Sequence, residues 1–183
     1  EQALKPGDEV TQTEDSDNIS ELLFISDRQK IYKSKVSEFE TKKASQLGDY
    51  VPVKLGFDEG ERVIAMKALA AYEKDRYFVY IFENGKGVRV PVSSYETKAS
   101  RKKLINAYSD ASPLVGAFYE DAPFELLLVS DAGKAVYIST KLIPEKATRT
   151  ASGVTLFSLK KGQKIIDATR TPETKYKNYE KCK

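Results

Sequence analysis

The sequence predicts an all-β protein, a propeller-like array of blades of roughly 50 residues each. Three observations predict it: one hairpin pattern occurs three times, a glycine turn marks the same register independently, and short strands follow one another without a clear helix between them. Three hairpin repeats are expected, with partial repeats at both ends. Three to four blades are too few to close a typical ring, so we expect missing sequence or a partner to complete it.

Each hairpin repeat has an apolar strand, a tight polar turn that ends in lysine, and a second strand. The three copies are Leu22–Lys33, Tyr77–Val90 and Leu126–Ile138. The turn lysines Lys30, Lys86 and Lys134 recur at intervals of about 50 residues, as expected for a blade-forming repeat. Spacing this regular indicates repetition of one structural unit.

A second marker gives the same register. The segments Leu4–Val10, Phe57–Val63 and Leu159–Ile165 resemble one another, each with a glycine among charged residues. Gly60 follows Gly7 after about one such period, and Gly162 follows Gly60 after about two. The chain is therefore expected to begin inside one repeat and to end inside another.

The turns and strands follow from local chemistry. Asn84-Gly85 is typical of a two-residue hairpin turn with positive φ, Ala132-Gly133 also supplies a glycine, and Arg28-Gln29 is the poorest turn. After the second turn, valines alternate with Arg89 and Pro91, which predicts a strand with one buried face. Because proline cannot donate to a ladder, Pro91 predicts an edge or a bulge.

One stretch could be a helix or a strand. Arg62–Tyr72 has the alanine, leucine and methionine content of a helix, but the repeat register favours a strand over about Val63–Lys67 and a loop over Ala68–Asp75.

The repeats divide the chain into segments of a single domain. Residues 1–17 end a preceding repeat in an acidic loop; repeats 1, 2 and 3 span 18–68, 69–120 and 121–168; and 169–183 is a polar basic tail or the start of another repeat.

Composition excludes several kinds of site. The chain has 183 residues and no histidine, which excludes Ser-His-Asp and Cys-His nucleophile systems and the H-E-x-x-H zinc helix. Its one cysteine, Cys182, forms neither an internal disulfide nor a metal cluster. Apolar runs fall far short of the ~20 residues that a membrane span requires. With no signal pattern at Glu1, we expect a segment of a longer cytosolic chain.

Charge is distributed unevenly along the chain. Residues 1–20 carry six acids against Lys5, and because the whole chain has a net charge of +3, the remainder carries +8. Residues 141–183 contain eleven lysines and arginines against four acids. Such a segment attracts polyanions over about one Debye length, although this charge alone is weak evidence for a nucleic-acid partner.

These residues resemble a known family, the C-terminal β-pinwheel domain that belongs to the A subunit of bacterial type IIA DNA topoisomerases, either gyrase or topoisomerase IV. The resemblance covers about Leu4 to Ile166. Three features carry it: the repeated hairpin, the segment Glu59–Val63, and Glu83–Lys86 followed by Val92–Lys98.

The resemblance implies a non-catalytic role in which the domain binds and bends double-stranded DNA around a basic rim and presents it to the catalytic core on the same polypeptide. No catalytic residue, cofactor or metal is then expected in this segment. ATP and Mg²⁺ belong to the parent enzyme, which is expected to be a heterotetramer with an ATPase subunit in the bacterial cytoplasm, associated with the nucleoid, without a membrane partner.

The sequence departs from gyrase at one motif. Gyrase has a Gln-Arg-Arg-Gly-Gly-x-Gly box in one blade, and the loops at the matching point, 42–48, 100–106 and 148–153, contain no copy of it. This favours topoisomerase IV, or a gyrase fragment whose box lies in absent sequence.

The candidate DNA-binding residues are cations on the loops that follow the second hairpin strands. Repetition would place these loops on one rim, where they could neutralise phosphates without reading bases. Arg101–Lys103 is the strongest group. The candidates are Lys42, Lys43, Lys98, Arg101, Lys102, Lys103, Lys146 and Arg149.

Other features have plainer interpretations. The strand cations Lys30, Lys33, Lys35, Arg89 and Lys134 could extend the DNA track but are more typical of protected strand edges. Strand aromatics such as Phe78 and Tyr80 are expected in the core rather than stacked on bases. Asp15-Ser16-Asp17 is expected to be solvated, without a third metal ligand. Gly85-Lys86-Gly87 is better explained by a hairpin than by a phosphate loop.

Two rival functions remain. The first is a propeller-type protein-interaction module that does not bind DNA. The second is a β-rich hydrolase that pairs Glu120 with Asp121 or Glu125, which nothing in the sequence places in a pocket.

Overall fold

The computed structural model describes residue 4 and residues 6–43, 45–98 and 101–171. The prediction of an all-β protein is confirmed: antiparallel strands dominate, with one short helix and three single 3-10 turns in the described residues. The chain divides into two compact units, Glu1–Ala71 with Ala99–Leu104, and Tyr72–Lys98 with Ile105–Lys183. The repeat boundaries given above stay predictions.

The first unit contains one four-stranded sheet. Its strand order is β3-β1-β2-β6. The pairs β1–β2 and β1–β3 are antiparallel. The strands are β1 Glu21–Ser26, β2 Lys30–Lys35, β3 Val63–Leu69 and β6 Lys103–Ile105. A short helix, α1 Val51–Leu55, and a 3-10 turn, Val36–Glu38, lie in the loop between β2 and β3.

The second unit contains two sheets. The first has the order β10-β5-β4-β7 and the second the order β11-β8-β9. The strands are β4 Tyr77–Phe82, β5 Lys86–Pro91, β7 Leu114–Glu120, β8 Glu125–Ser130, β9 Ala135–Ser139, β10 Val154–Thr155 and β11 Ile165–Arg170. The 3-10 turns Val92–Tyr95 and Thr140–Leu142 follow β5 and β9.

The strands bear out the pattern read from the sequence. The ambiguous stretch forms β3, which ends at Leu69, two residues after the predicted end. The prediction from Pro91 is wrong, because β5 lies between β10 and β4 and has no bulge against β4; Pro91 is instead its last residue, opposite Tyr77. Because the strand ends at this residue, the missing N–H of Pro91 does not break the backbone hydrogen bonds of the rest of β5.

The hairpin turns are longer than the predicted two residues. Each pair of hairpin strands is separated by three or four residues, and the third residue after the first strand has positive φ: 54° at Gln29, 79° at Gly85 and 71° at Gly133. Three-residue loops of this kind combine a type I turn with one left-handed residue. The asparagine-glycine pair predicted the turn correctly but not its length.

The second and third repeats each contribute one strand to the sheet of the preceding hairpin. β6 follows the hairpin β4–β5 in sequence but joins the sheet of the first unit beside β2, and β10 follows β8–β9 but pairs with β5. These two exchanged strands start at Lys103 and Val154, which are one repeat length apart. Strand exchange is thus a repeating feature of the fold.

Apolar strand faces form the cores. In the second unit a cluster joins its two sheets, with Val79 and Ile81 from β4 facing Leu126 and Leu128 from β8, all at most 1% exposed. In the first unit Leu22, Phe24 and Tyr32 form the buried cluster. Full burial of such side chains contributes about 1.5–3 kcal/mol each.

The prediction that the strand aromatics pack in the core is confirmed. Phe78, Tyr80 and Phe82 are at most 2% exposed, and Tyr80 stacks on Tyr108 with ring centroids 5.2 Å apart. The Tyr80 hydroxyl donates to the Tyr95 hydroxyl at 2.9 Å, which donates to the Ala107 carbonyl at 2.8 Å. Burial raises the pKa of both tyrosines well above the ordinary value, so the chain of hydroxyl groups stays protonated.

Candidate nucleic-acid interface

The first basic loop, in the first unit, holds Lys42 and Lys43 beside acidic partners. Lys42 Nζ lies 3.2 Å from Asp49 Oδ1 and 3.5 Å from Glu40 Oε2. The hydrogen bond to Asp49 is the main cause of the raised pKa of Lys42. Lys43 is exposed, and its backbone N–H donates to Gln46 Oε1 at 2.9 Å, which closes the turn. One cation of this pair is therefore partly neutralised and the other faces solvent.

Lys54 is a cation of the same loop that the sequence reasoning missed. Its Nζ lies 3.0 Å from Asp49 Oδ2 and 4.8 Å from the centroid of the Phe39 ring. Lys54 belongs to α1, which has no counterpart in the other repeats over the described residues, so the repeat pattern offered no signal for it.

The second basic loop contributes cations to both units. Lys98 is exposed in the second unit, while Arg101, Lys102 and Lys103 are exposed in the first unit, where β6 begins. The Lys33 N–H donates to the Lys102 carbonyl at 2.8 Å, so the backbone of the Arg101–Lys103 group is tied to β2. The backbone is therefore fixed and the charged ends remain exposed.

Two of these side chains have weak acidic partners. Lys102 Nζ lies 3.4 Å from Glu38 Oε2 and is 76% exposed. The Ser34 hydroxyl donates to the same Glu38 oxygen at 2.9 Å. This hydrogen bond, and to a smaller extent the contact with Lys102, lowers the pKa of Glu38, whereas partial burial acts in the opposite direction. Lys103 Nζ lies 3.6 Å from Asp58 Oδ1 and 5.3 Å from the centroid of the Tyr32 ring. Exposed pairs of this kind are worth at most about 1 kcal/mol, so a polyanion could displace them.

The third basic loop lies in the second unit and is fixed by β5. The Lys146 N–H donates to the Arg89 carbonyl at 2.8 Å, and the Tyr77 hydroxyl donates to Glu145 Oε2 at 3.0 Å. Lys146 itself is exposed. Arg149 is half-buried, with its guanidinium 5.9 Å from the centroid of the Tyr95 ring.

An open cleft of about 400 Å³ lies beside Arg149. It is lined by Ser94, Asn106, Ala147, Thr148, Arg149 and Thr150. A guanidinium surrounded by hydroxyl and amide groups is suited to a phosphate oxygen. Ser94 and Asn106 were not candidates from sequence, because neither belongs to a charged run.

Three of the five strand cations form ion pairs with acidic residues inside the fold. Lys33 is 3% exposed and its Nζ lies 3.4 Å from Glu21 Oε2. Arg89 donates to Glu120 Oε1 at 2.5 Å, and Lys30 contacts Asp58 and Glu61. Lys35 and Lys134 are exposed. The first three therefore hold strands together rather than extend a charged surface.

The carboxylates considered for a hydrolase site, Glu120 with Asp121 or Glu125, do not form a pair that a substrate could reach. Glu120 is 1% exposed and bound to Arg89, whose guanidinium carbon lies 4.1 Å from the centroid of the Tyr77 ring. Asp121 is exposed and accepts from the Ala122 N–H. A buried, ion-paired glutamate is not available for acid–base work on a substrate.

Metal-binding and membrane-spanning features are absent from the described residues. Over those parts of the chain no three acidic or cysteine side chains are grouped to hold a metal ion, and no helix is long and apolar enough to cross a membrane. Asp15, Ser16 and Asp17 line an open cleft with Ser20, Ala68 and Ala70. The tail beyond Thr171, including Cys182, lies outside the described residues.

Known protein families include one that matches most of the chain. The family model "DNA gyrase C-terminal domain, beta-propeller" matches residues 20–69, 83–117 and 125–172. The DNA gyrase A subunit of Mycolicibacterium smegmatis is 26% identical over 118 residues, which is 64% of this chain and 14% of that protein. The DNA gyrase A subunit of Aeromonas salmonicida is 27% identical over 115 residues, which is 63% of this chain and 12% of that protein. The chain thus spans a small part of the gyrase polypeptides that it matches.

Solved structures share the fold. The C-terminal domain of a DNA topoisomerase IV has a TM-score of 0.73 at 22% identity, covering 84% of this chain and 47% of that one. The E. coli ParC C-terminal domain has a TM-score of 0.62 at 15% identity, covering 85% of this chain and 63% of that one. A gyrase A C-terminal domain has a TM-score of 0.57 at 16% identity, covering 86% and 50%. The predicted pinwheel or propeller-like array is confirmed, and with it the resemblance stated from sequence.

Proposed function

Because this chain belongs to the family of DNA gyrase C-terminal β-propeller domains, we propose that it binds and bends double-stranded DNA through its basic loops. It contributes no catalytic residue. It acts as part of the A subunit of a bacterial type II DNA topoisomerase and presents DNA to the catalytic core on the same polypeptide. ATP and Mg²⁺ are used elsewhere in an assembly with an ATPase subunit, in the cytoplasm.

One observation carries the proposal. Arg101, Lys102 and Lys103 stand together on a loop whose backbone is anchored to β2 and whose charged ends are exposed. Lys98 is exposed earlier in the same loop, and Lys43 and Lys146 are exposed on the other two basic loops. Cations with a fixed backbone and exposed, weakly paired ends favour contact with phosphates and give no means of reading bases. A single shared rim stays a prediction.

The finer assignment is topoisomerase IV rather than gyrase. The loops at the matching point contain no Gln-Arg-Arg-Gly-Gly-x-Gly box. The resemblance to gyrase connects that box with the wrapping of DNA that introduces negative supercoils. We therefore infer bending without chiral wrapping. The affinity should favour deformable DNA over any fixed base sequence.

Binding of a labelled linear duplex across a salt series tests the proposal. The logarithm of the affinity should fall linearly with the logarithm of salt concentration, by about 0.9 for each neutralised phosphate. Replacing Arg101 and Lys102 by glutamate should weaken binding and reduce that slope by about 1.8. Both side chains are exposed, so the variant should fold normally.

A matched control separates location from net charge. Lys160→Glu with Lys161→Glu makes the same charge change at two exposed lysines outside the three basic loops. Equal losses in both variants would contradict a localised interface. Absence of binding at low salt would contradict DNA binding altogether and favour the protein-interaction module.

Ligation of a nicked circle with the protein bound distinguishes the two topoisomerases. Salt-dependent binding without a change of linking number supports bending as in topoisomerase IV. A shifted linking number would contradict that assignment and support wrapping as in gyrase.

A further inference from the structure

Arg149 is a half-buried arginine whose side chain has no hydrogen-bond acceptor in the part of the chain that the structure describes. Its guanidinium lies 5.9 Å from the centroid of the Tyr95 ring, and it forms no ion pair or hydrogen bond with a described residue. Arg89 of the same unit, in contrast, pairs with Glu120 and donates to the Ile143 carbonyl at 3.4 Å. A guanidinium has five N–H donors, and partial burial separates them from water. The side chain is therefore suited to an acceptor that comes from outside the chain.

The Arg149 cleft is the open cleft lined by Ser94, Asn106 and residues 147–150, and it brings further donors to the same place. The side-chain amide of Asn106 and the hydroxyls of Thr148 and Thr150 form no hydrogen bond with the described residues. These donors and the guanidinium line one opening of about 400 Å³. The free oxygens of a phosphodiester accept hydrogen bonds and donate none, so this set of side chains matches a backbone phosphate.

Two hydrogen bonds hold the walls of the Arg149 cleft in place. The Ser94 hydroxyl donates to the Ala147 carbonyl at 3.1 Å, which joins the third basic loop to the 3-10 turn after β5. The Tyr95 hydroxyl donates to the Ala107 carbonyl at 2.8 Å, and both residues are fully buried. Ala107 follows Asn106 directly, so this bond fixes the backbone beside the amide. Donors that are held in place before binding lose little conformational entropy when a ligand arrives.

The electrostatics of the Arg149 cleft favour an anion. Among the described residues that line it, none is acidic. Two open clefts of the first unit differ in this respect, because Asp15 and Asp17 line one of them and Glu40 lines the other. A carboxylate beside a phosphate is repulsive, so of these three clefts the Arg149 cleft is the one suited to a phosphate.

The repeat register relates Ser94 to an acid of the first unit. Ser94 lies as far after Lys86 as Glu38 lies after Lys30. Glu38 Oε2 lies 3.4 Å from Lys102 Nζ, so the acid at this position engages a cation of the second basic loop. Serine contributes no charge at the equivalent place. The two repeats therefore differ at this point, and the difference favours a phosphate contact in the second unit.

We propose that the Arg149 cleft holds one phosphate group of the DNA backbone, mainly by hydrogen bonds from Arg149, Asn106 and the two threonine hydroxyls. This inference rests on the proposed binding of DNA and adds a defined contact to it. Exposed lysines attract the backbone without fixing its position, whereas a cleft with oriented donors fixes one phosphate relative to the second unit. Uncharged donors add affinity without releasing counterions, so their contribution does not depend on salt in the way that the lysines' does.

Arg149→Lys tests the hydrogen bonds separately from the charge. An ammonium cannot donate the paired hydrogen bonds of a guanidinium, so the affinity for a labelled linear duplex should fall by about tenfold. The slope of the logarithm of affinity against the logarithm of salt concentration should stay unchanged, because the positive charge is kept. Arg62→Lys is the matched control: its side chain is 79% exposed and lies outside the basic loops, so affinity should not change.

Asn106→Gly tests an uncharged member of the cleft. Asn106 has φ 52°, a conformation that glycine adopts without strain, so the variant removes the amide and should keep the fold. Duplex affinity should fall by about fivefold, again with an unchanged salt slope. Asn18→Gly makes the same replacement at an exposed asparagine outside the basic loops and should leave affinity unchanged. Thermal unfolding of each variant checks that the fold is kept.

Nuclear magnetic resonance of the isotope-labelled chain locates the contact and its source. A short duplex should shift the signals of the Arg149 Nε–H and of the Asn106 side-chain amide, and the Asn106 shift should shrink in Arg149→Lys. Inorganic phosphate carries the same chemistry as the backbone. At an equal concentration of phosphate groups and equal ionic strength it should leave these signals unchanged. Saturation by inorganic phosphate at that concentration would overturn the assignment to DNA and indicate a site for a free anion.

The outcomes separate this inference from the proposed function. Absence of duplex binding by the wild type at low salt would overturn the proposed function and the cleft contact together. Duplex binding by the wild type with no loss in Arg149→Lys and Asn106→Gly would overturn the cleft contact alone. So would losses equal to those of Arg62→Lys and Asn18→Gly, or losses that come with a smaller salt slope, because such a slope indicates a lost charge rather than lost hydrogen bonds.

Discussion

The hydroxyl oxygen of Ser26 lies 2.5 Å from Oε1 of Glu61, and joins the end of β1 to the turn that precedes β3. Oε2 of the same carboxylate accepts from the Tyr32 hydroxyl at 2.8 Å and from the Asp58 N–H at 2.9 Å, with Lys30 Nζ at 3.3 Å. The side chain of Glu61 is fully buried. One acidic group thus connects three segments of the first unit.

Replacing Glu61 by glutamine should destabilise the chain strongly. The amide nitrogen cannot accept a hydrogen bond, so at least one buried donor loses its acceptor, and Lys30 loses a buried partner. Removal of one member of a buried ion pair costs about 3 kcal/mol. Urea unfolding should show a lower midpoint. Glu59→Gln, an exposed glutamate of the same turn, should change the free energy of unfolding by less than about 0.5 kcal/mol.

The same carboxylate should make stability depend on pH in the acid range. Burial alone would raise the pKa of Glu61, but hydrogen bonds from Ser26, the Asp58 backbone and Tyr32 outweigh it and lower the pKa from its ordinary 4.5. Its contribution is present above the unfolded-state pKa and is lost as pH falls through the folded-state pKa. Unfolding free energies measured from neutral to acid pH should fall less steeply in Glu61→Gln. Equal slopes in the variant and the wild type would contradict this role.

The left-handed residues of the hairpin loops should differ in their tolerance of a side chain. A Cβ at Gly85 would lie 2.2 Å from the Phe157 carbonyl oxygen, whereas a Cβ at Gly133 meets nothing within 4 Å. Gly133→Ala should cost about 1 kcal/mol from backbone strain alone. Gly85→Ala should cost at least about 2 kcal/mol more, because the backbone at Phe157 must move away from the turn. Thermal unfolding of the two variants measures the difference, and equal costs would contradict the close approach.

The first hairpin should gain stability from a glycine. Gln29 has φ 54° at the position where the other two hairpins have glycine. A non-glycine residue pays about 1–2 kcal/mol there, so Gln29→Gly should stabilise the chain by about 0.5–1 kcal/mol after the greater freedom of glycine in the unfolded chain is included. The reciprocal change, Gly133→Gln, should lose a similar amount. A loss of stability in Gln29→Gly would mean that side-chain contacts of Gln29 outweigh the strain.

Local patterns were enough to predict the hairpins. Apolar strands, the Asn84-Gly85 pair and the lysine after each turn act within a short stretch of chain, and all three hairpins form where the sequence predicted them. The exchanged strands could not be predicted in this way. Whether Lys103–Ile105 pairs with β2 depends on which sheet edge is open in the folded chain, and that is a property of distant residues.

The candidate interface was predictable to a similar degree. Charge runs identified Arg101, Lys102 and Lys103, because exposed lysines and arginines follow strands in each repeat. The same criterion could not exclude Lys33 and Arg89 from the interface, although they form ion pairs with Glu21 and Glu120. Those acids are identified as partners only when the strands are paired.

If the basic loops bind DNA, removal of one acid should strengthen binding. Asp49 holds both Lys42 and Lys54, and hydrogen bonds from Lys54 and then Lys42 lower its pKa. Asp49→Asn removes a negative charge and releases Lys42 and Lys54 from Asp49, although Lys42 keeps its contact with Glu40, so duplex affinity at low salt should rise by about threefold. Stability should change by less than about 1 kcal/mol, because such pairs are weak. Asp110→Asn, the same charge change at an exposed residue outside the basic loops, is the control. Fluorescence anisotropy measures both, and an equal or absent gain in the two variants would argue against a DNA contact at the first basic loop.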